Sequence, residues 1–476
     1  MNVGNPVRFA LWIPMAALLL AVPAYLSRQL WFDEALTVLN FACLDSPERI
    51  YRAYVIPNNH ILFSLVLHYW LEFQPPWCPV DLWLRLPSLL SAVVLLWYLG
   101  KRFRCMCGVF PLTVALTALA VSPPFLVYAT AIRGYMLGAL FSAAAAGAAV
   151  EFAASSRIRS FAKFFLASFA AVLTVPSDLA ALAGAVLFAL PFCGSGFFRT
   201  RRFYVLALTP VAALSAAYLP IWRDFVRVSQ LGEGWHDRWS SLAAVVLALT
   251  SAFGVLLLTV PAKWVRSFKR GRRRLLWRAV IWLLPCPAAF VFAVAPFPRV
   301  YFPLFPLLAL TIASALRDLV GMERRRRHSG GLRFKLAAVG AVLLLSAWPW
   351  HLTPVRERLS PHVGGELGDD FFYGYHLRGE HTPLAVAEEL RKLSPDTVYF
   401  SFLSDPWANM FYHLAGGGKA EYLFDGPRGM VAELPVGAAA VLRRDELPEP
   451  LEKRFSRRFR PVAATPACCI FTVEAP

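Results

Sequence analysis

Long apolar runs separated by short polar segments recur along most of this chain, and no other feature restricts its fold as strongly. About 20 apolar residues in a helix cross the hydrocarbon core of a bilayer, and inside lipid each backbone N–H and C=O must find its partner within the segment. About eleven such segments are expected, at 9–26, 83–100, 108–126, 134–153, 162–176, 179–195, 203–220, 240–261, 278–296, 300–317 and 335–351. Only 16% of the 476 residues are charged and 58% are hydrophobic, whereas a soluble domain carries about 25% charged residues. The expectation is a polytopic α-helical membrane protein.

The formal net charge of +18 invites a nucleic-acid reading, so its distribution matters. The basic residues gather in "KRFR" (101–104), "SSRIRSFAK" (155–163), "RTRR" (199–202), "KWVRSFKRGRRR" (263–274) and "ERRRRHSGGLRFK" (323–335), while the alternate loops lack them. That alternation is the positive-inside pattern. It predicts a cytoplasmic N-terminus, five cytoplasmic basic loops and an extracytoplasmic C-terminal segment. Scattered over loops, these cations do not form a nucleic-acid groove. Residues 9–26 resemble a signal peptide at "VPA" (22–24), but only Arg8 precedes them and many spans follow, so they read as a retained first helix.

Two external parts are large. The loop 27–82 contains "HILFSLVLHYWLEF" (60–73), which is short for a crossing and reads as a helix lying at the interface. The tail 352–476 is richer in charge and turn signals, and "PLAVAEELRKLSPDTVYFSFL" reads as an amphipathic helix, a turn and a strand. The chain thus divides into a membrane domain, 1–351, and a small α/β extracytoplasmic domain, 352–476. Of the eight cysteines, Cys43 and Cys78 share the first external loop and can bridge in an oxidising compartment. The C-x-C of Cys105 and Cys107 and the neighbours Cys468 and Cys469 do not make a metal framework, and incidental or structural roles are favoured for all of them.

Polar residues at membrane depth are costly and usually functional. This topology puts Asp33, Glu34, Asn58, Asn59, His60, Arg85, Arg133, Tyr135, Asp178, Arg299 and Tyr301 at the external ends of spans, all on one face. Each also has a plainer role. Arg85 before "LPS" suits a helix start with a snorkelling side chain, Arg133 and Arg299 suit interfacial anchors, Asp178 suits an N-cap and His60 a packed ring. Asp33, between bulky aromatics beside a bilayer, is the hardest to explain as structural. A carboxylate at the water–lipid boundary can serve as a general base toward a hydroxyl, and nearby arginines can bind a phosphate and stabilise it as it leaves. A site within reach of lipid suits a donor with a long tail. Glycosyl transfer from a polyprenyl-phosphate sugar combines all three.

Several segments carry a family resemblance: "WFDEA" after the first span, an "N-H-x-L" sequence opening the interfacial helix, "LRLPSLLSAV", "SPPFLVYATAIRGYML" and "PRVYFPLFP". In this order, over roughly residues 8–320, they resemble the GT-C superfamily of integral-membrane glycosyltransferases. The nearest branch holds the bacterial relatives of protein O-mannosyltransferases and of the lipid A aminoarabinose transferase. The resemblance implies the GT-C fold on the bacterial inner membrane and inverting transfer in one displacement. It implies Asp33 as the base with Glu34 supporting the site, and Arg133, Tyr135, Arg299 and Tyr301 around the lipid phosphate or sugar. Asn59, His60, Arg85 and Asp178 complete the candidate substrate-binding set.

Two departures qualify the resemblance. Where the aminoarabinose transferases have a Lys-Pro-Pro-Leu sequence, this chain has "NHIL" (59–62), so one phosphate-binding cation is missing. "ATAIRGYM" also lacks the acid that many relatives place just before the arginine, and no metal is assigned. The partners expected are a polyprenyl-phosphate-linked sugar and a lipid, glycan or protein acceptor. Two further enzyme or transport readings stay open. One is a glycan polymerase or ligase using the loop 221–239 with Arg223, Arg227, His236 and Arg238; the other is a lipid-linked glycan flippase. A non-enzymatic assembly subunit is the third alternative.

Overall fold

Where the apolar runs fall, helices form, and the prolines decide where they break. The structure is a computed structural model that describes residues 12–26, 32–54, 59–193, 200–230, 238–269, 298–323, 382–401, 406–417, 419–422, 433–444, 446–465 and 468–476. The expected spans at 278–296 and 335–351 lie outside the described residues, as do Asn58 and His236. Among the described residues five helices are long and apolar enough to cross a membrane, and a sixth candidate is a bent pair. The chain divides into two units. One comprises Met1–Ser27, His60–Val66 and Leu84–Gly374; the other comprises Arg28–Asn59, Leu67–Trp83 and Tyr375–Pro476.

In the first unit, the bent pair is Val109–Ala120 and Pro123–Thr130, which turn by 66°. Pro123 and Pro124 cause the break: they have no N–H to give the preceding turn, and Ser122 is extended, with φ −74° and ψ 144°. The short helix is buried along its whole length and ends at an extended Ala131. Four residues later the chain enters Tyr135–Ser155, whose "SAAAAGAA" stretch lets it pack closely on Ile158–Thr174. Gly147 lets the same helix approach Val80–Cys107: a Cβ there would reach within 2.1 Å of the Tyr98 hydroxyl. The sequence 162–195, expected as two short spans, forms Ile158–Thr174, a 3₁₀ turn at Pro176–Asp178 and Leu179–Ala189. A second 3₁₀ segment, Pro298–Leu304, leads into Phe305–Glu323 and packs on Tyr135–Ser155 and on the Pro176–Asp178 turn.

The second unit holds the tail and much of the first loop. A five-stranded sheet has the order β2-β1-β3-β5-β4, with β1 Thr397–Phe400, β2 Lys419–Tyr422, β3 Ala439–Arg443, β4 Arg458–Ala464 and β5 Cys468–Glu474. β1 pairs parallel with β2 and β3, and β5 pairs antiparallel with β3 and β4. The helix and strand expected from "PLAVAEELRKLSPDTVYFSFL" are Thr382–Leu393 and β1. Tyr399, Leu442, Phe459, Phe471 and Val473 form the core on one side. The parallel β1–β2 crossover is made by Pro406–Leu414, and that helix also packs against Phe32–Thr37 from the first loop.

A proline also accounts for a tryptophan pair. The helix around Arg85 begins at Val80, a little before the span expected from 83, and Pro87 lies inside it rather than in its first turn. Pro87 cannot donate to the carbonyl of Trp83 four residues back. That carbonyl accepts instead from the indole N–H of Trp70 at 2.9 Å, and the Trp83 indole donates to the Trp70 carbonyl at 2.9 Å. The two rings stack with centroids 4.5 Å apart. Cys43 and Cys78 are not bridged.

Candidate active site

The first unit builds its site where the backbone is not helical. Residues 131–134, between the buried helix Pro123–Thr130 and Tyr135–Ser155, expose backbone groups that no helix ladder satisfies. Two side chains of the Val80–Cys107 helix take them up. Arg85 donates through Nη1 to the Thr130 carbonyl at 2.6 Å, and Ser88 donates through its hydroxyl to the Ala131 carbonyl at 2.5 Å. Arg85 is 0% exposed, so it neither snorkels nor opens a helix.

On the other side of the break stands His60. Its Nδ1 accepts the Gly134 N–H at 2.8 Å. Gly134 allows this approach because a Cβ there would lie 2.7 Å from the Thr174 methyl and 3.0 Å from His60. With Nδ1 accepting, the ring proton sits on Nε2. That nitrogen lies 3.4 Å from Nη2 of Arg133. Both atoms are donors, so the contact is not a hydrogen bond between them; it sets two N–H groups side by side, able to share one acceptor. Both residues are buried. The Arg133 guanidinium lies 5.7 Å from the centre of the Tyr135 ring, which meets His60 edge-on at 4.8 Å and Tyr128 at 5.3 Å. Tyr128 in turn packs on Phe302 at 4.6 Å, next to the buried Tyr301.

Asp178 lies one helical turn further on. Its carboxylate rests against Gly138, where a Cβ would be 2.1 Å from Oδ2. The N-cap role expected of it is not what it does: φ −61° and ψ −11° are helical values, and its side chain accepts no N–H of Leu179–Ala189. The backbone of Arg299 belongs to the 3₁₀ segment that packs beside this turn.

The second unit carries the two acids. Asp33 and Glu34 occupy the first turn of Phe32–Thr37, where the helix dipole favours negative charge. Asp33 is 9% exposed and Glu34 fully buried. The Thr37 hydroxyl donates to the Asp33 carbonyl at 2.8 Å, and the helix then widens into a π turn at Val38–Ala42. Asn59 is committed to its own loop: its amide donates to the Ile50 and Ala53 carbonyls at 2.9 and 3.0 Å. Among the described residues no group of three or more His, Cys, Asp or Glu is placed to hold a metal ion.

Of the runner-up loop, Arg223 and Arg227 lie on Trp222–Gln230, where Arg227 pairs with Asp224 at 3.0 Å. The residues missed in the sequence are Gly134, Gly138 and Ser88. The glycines were detectable as a pair four apart in "IRGYMLG", a spacing that puts both on one helix face.

This architecture is the fold seen in solved structures of ArnT. Solved structures it is similar to include two of ArnT from Cupriavidus metallidurans. The structure of ArnT bound to undecaprenyl phosphate superposes with a TM-score of 0.57 at 14% identity, covering 99% of this chain and 98% of that one. The apo structure superposes with a TM-score of 0.52 at 16% identity, covering 98% and 97%. No protein-family model and no curated protein sequence matches the chain.

Proposed function

We propose that this protein is a glycosyltransferase of the bacterial inner membrane. It moves a hexosyl or pentosyl group from a polyprenyl-phosphate donor to an acceptor hydroxyl on the extracytoplasmic side. The observation that carries this reading is the pair of donors at His60 Nε2 and Arg133 Nη2, held 3.4 Å apart by the Gly134 hydrogen bond. One oxygen of a phosphate can accept from both, with the arginine supplying positive charge. Where a lysine is missing from "NHIL", a histidine with a fixed tautomer supplies a directed donor. The likeness of fold to a protein crystallised with undecaprenyl phosphate supports the same class of donor.

The reaction needs few parts. Asp33 accepts the proton of the acceptor hydroxyl as its oxygen attacks the anomeric carbon, and Glu34 supports it. The bond from that carbon to the phosphate oxygen breaks with inversion, and the electron pair leaves on the phosphate. Arg133 and His60 stabilise the charge that develops there, with Arg299 as a further cation. Tyr135 and Tyr301 border the donor. Arg85 and Asn59 act through the backbone they hold.

The test is mass spectrometry of envelope glycolipids and glycoproteins from a strain lacking the protein. The strain is complemented with the native chain or with Asp33→Asn at matched membrane levels. The native chain is expected to restore a hexose- or pentose-sized mass increment that Asp33→Asn does not. Equal restoration by both would remove Asp33 as the base and bring forward the flippase and assembly-subunit readings.

A further inference from the structure

Asp178 is fully buried, and among the described residues neither carboxylate oxygen has a hydrogen-bond partner. It does not cap the following helix. A carboxylate in this state opposes folding, because it has given up water and gained no donor in exchange. The surroundings nevertheless make room for it. Gly138 omits the Cβ that would lie 2.1 Å from Oδ2 and 3.0 Å from Cγ.

The two glycines relate this group to the phosphate-binding pair. Gly134 admits His60, and Gly138 admits Asp178. Positions four apart project from one face of a helix. The rise of about 1.5 Å per residue therefore sets the carboxylate about 6 Å along that face from the donor pair. Tyr135 stands between them in sequence and touches His60. A sugar ring esterified to a phosphate held by His60 and Arg133 would extend over this interval and bring hydrogen-bond donors to the far end.

We infer that Asp178 is the residue that recognises the transferred sugar, its carboxylate accepting hydrogen bonds from hydroxyl or amino groups of the ring. The inference rests on the transferase reading and adds what that reading leaves open, the group that tells one sugar from another. A residue of this kind is expected to cost stability when empty and to gain its partners only with the donor bound.

Binding to the full-length protein in lipid nanodiscs tests it. The probes are undecaprenyl phosphate, undecaprenyl phosphate mannose and undecaprenyl phosphate 4-amino-4-deoxyarabinose. The native protein is expected to bind at least one sugar ester about tenfold more tightly than the bare lipid phosphate, the effect of one charge-assisted hydrogen bond. Asp178→Asn is expected to bring that ratio near one while leaving affinity for the bare lipid unchanged and thermal stability equal or higher. Gly138→Ala, which displaces the carboxylate, should also bring the ratio near one while lowering thermal stability through overpacking. A gain confined to the amino sugar assigns an ammonium partner, and a gain for mannose assigns hydroxyls. The inference is overturned if native protein prefers neither ester, if Asp178→Asn keeps the preference, or if it loses the bare lipid and stability together. Arg133→Ala serves as the separate check: it should weaken all three probes, and if it weakens none the phosphate reading fails whatever Asp178 does.

Discussion

The break at residues 131–134 and the turn at Pro176–Asp178 face the same helix and treat their polar groups in opposite ways. At the break Arg85 and Ser88 from the Val80–Cys107 helix, and His60 just before Ile61–Glu72, pair the Thr130 and Ala131 carbonyls and the Gly134 N–H. At the turn a whole carboxylate has no donor among the described residues. A buried polar group that is paired holds the fold, and one that is not weakens it. A chain that pairs three backbone groups so thoroughly, yet leaves an acid unsatisfied a helical turn away, has kept that acid for a partner outside the fold.

The strongest way to break this comparison is at Gly134. A valine there would drive into the Thr174 methyl and the His60 ring, and should lower transferase activity at least a hundredfold and cost about 2–3 kcal/mol as overpacking. Thermal unfolding in detergent together with a donor-turnover assay checks both effects. Arg85→Leu comes next. It leaves the Thr130 carbonyl buried and unpaired and should cost about 2 kcal/mol. Retained stability in that variant would show that the break tolerates an unpaired group and would undo the contrast. Asp178→Asn sharpens the comparison from the other side, with stability raised by about 1 kcal/mol because an uncompensated charge is removed. The smallest effect is expected at Trp70→Phe. It strands the Trp83 carbonyl released by Pro87 and should cost about 0.6 kcal/mol, typical of one side-chain hydrogen bond within a membrane protein.

The apolar runs were legible because hydrocarbon leaves so few ways to satisfy a backbone, and "VPSD" was legible as a break because proline announces one. The bend at "SPP" was harder to see. Residues 123–130 are as apolar as a span, and only the paired prolines tell that they form a separate buried helix rather than the end of the one before. Arg85 stands out in the sequence as a charge within an apolar run, but the carbonyl it pairs with is 45 residues away, which no local pattern encodes. The histidine tautomer and the unpaired state of Asp178 are likewise properties of what surrounds a residue. Glycine is the partial exception: a missing Cβ leaves a trace in the sequence, though not the identity of what fills the space.

The packing of Pro406–Leu414 against Phe32–Thr37 has a consequence in time. The ribosome makes Asp33 and Glu34 long before the helix beside them, with the helices from Val80 to Glu323 made in between. At about 5–20 residues per second, an interval on the order of tens of seconds separates the two. Throughout that period the acid-bearing helix stands without its neighbour, and a chain released early never acquires it. Synthesis through Leu414 is thereby built into the assembly of the segment that carries Asp33.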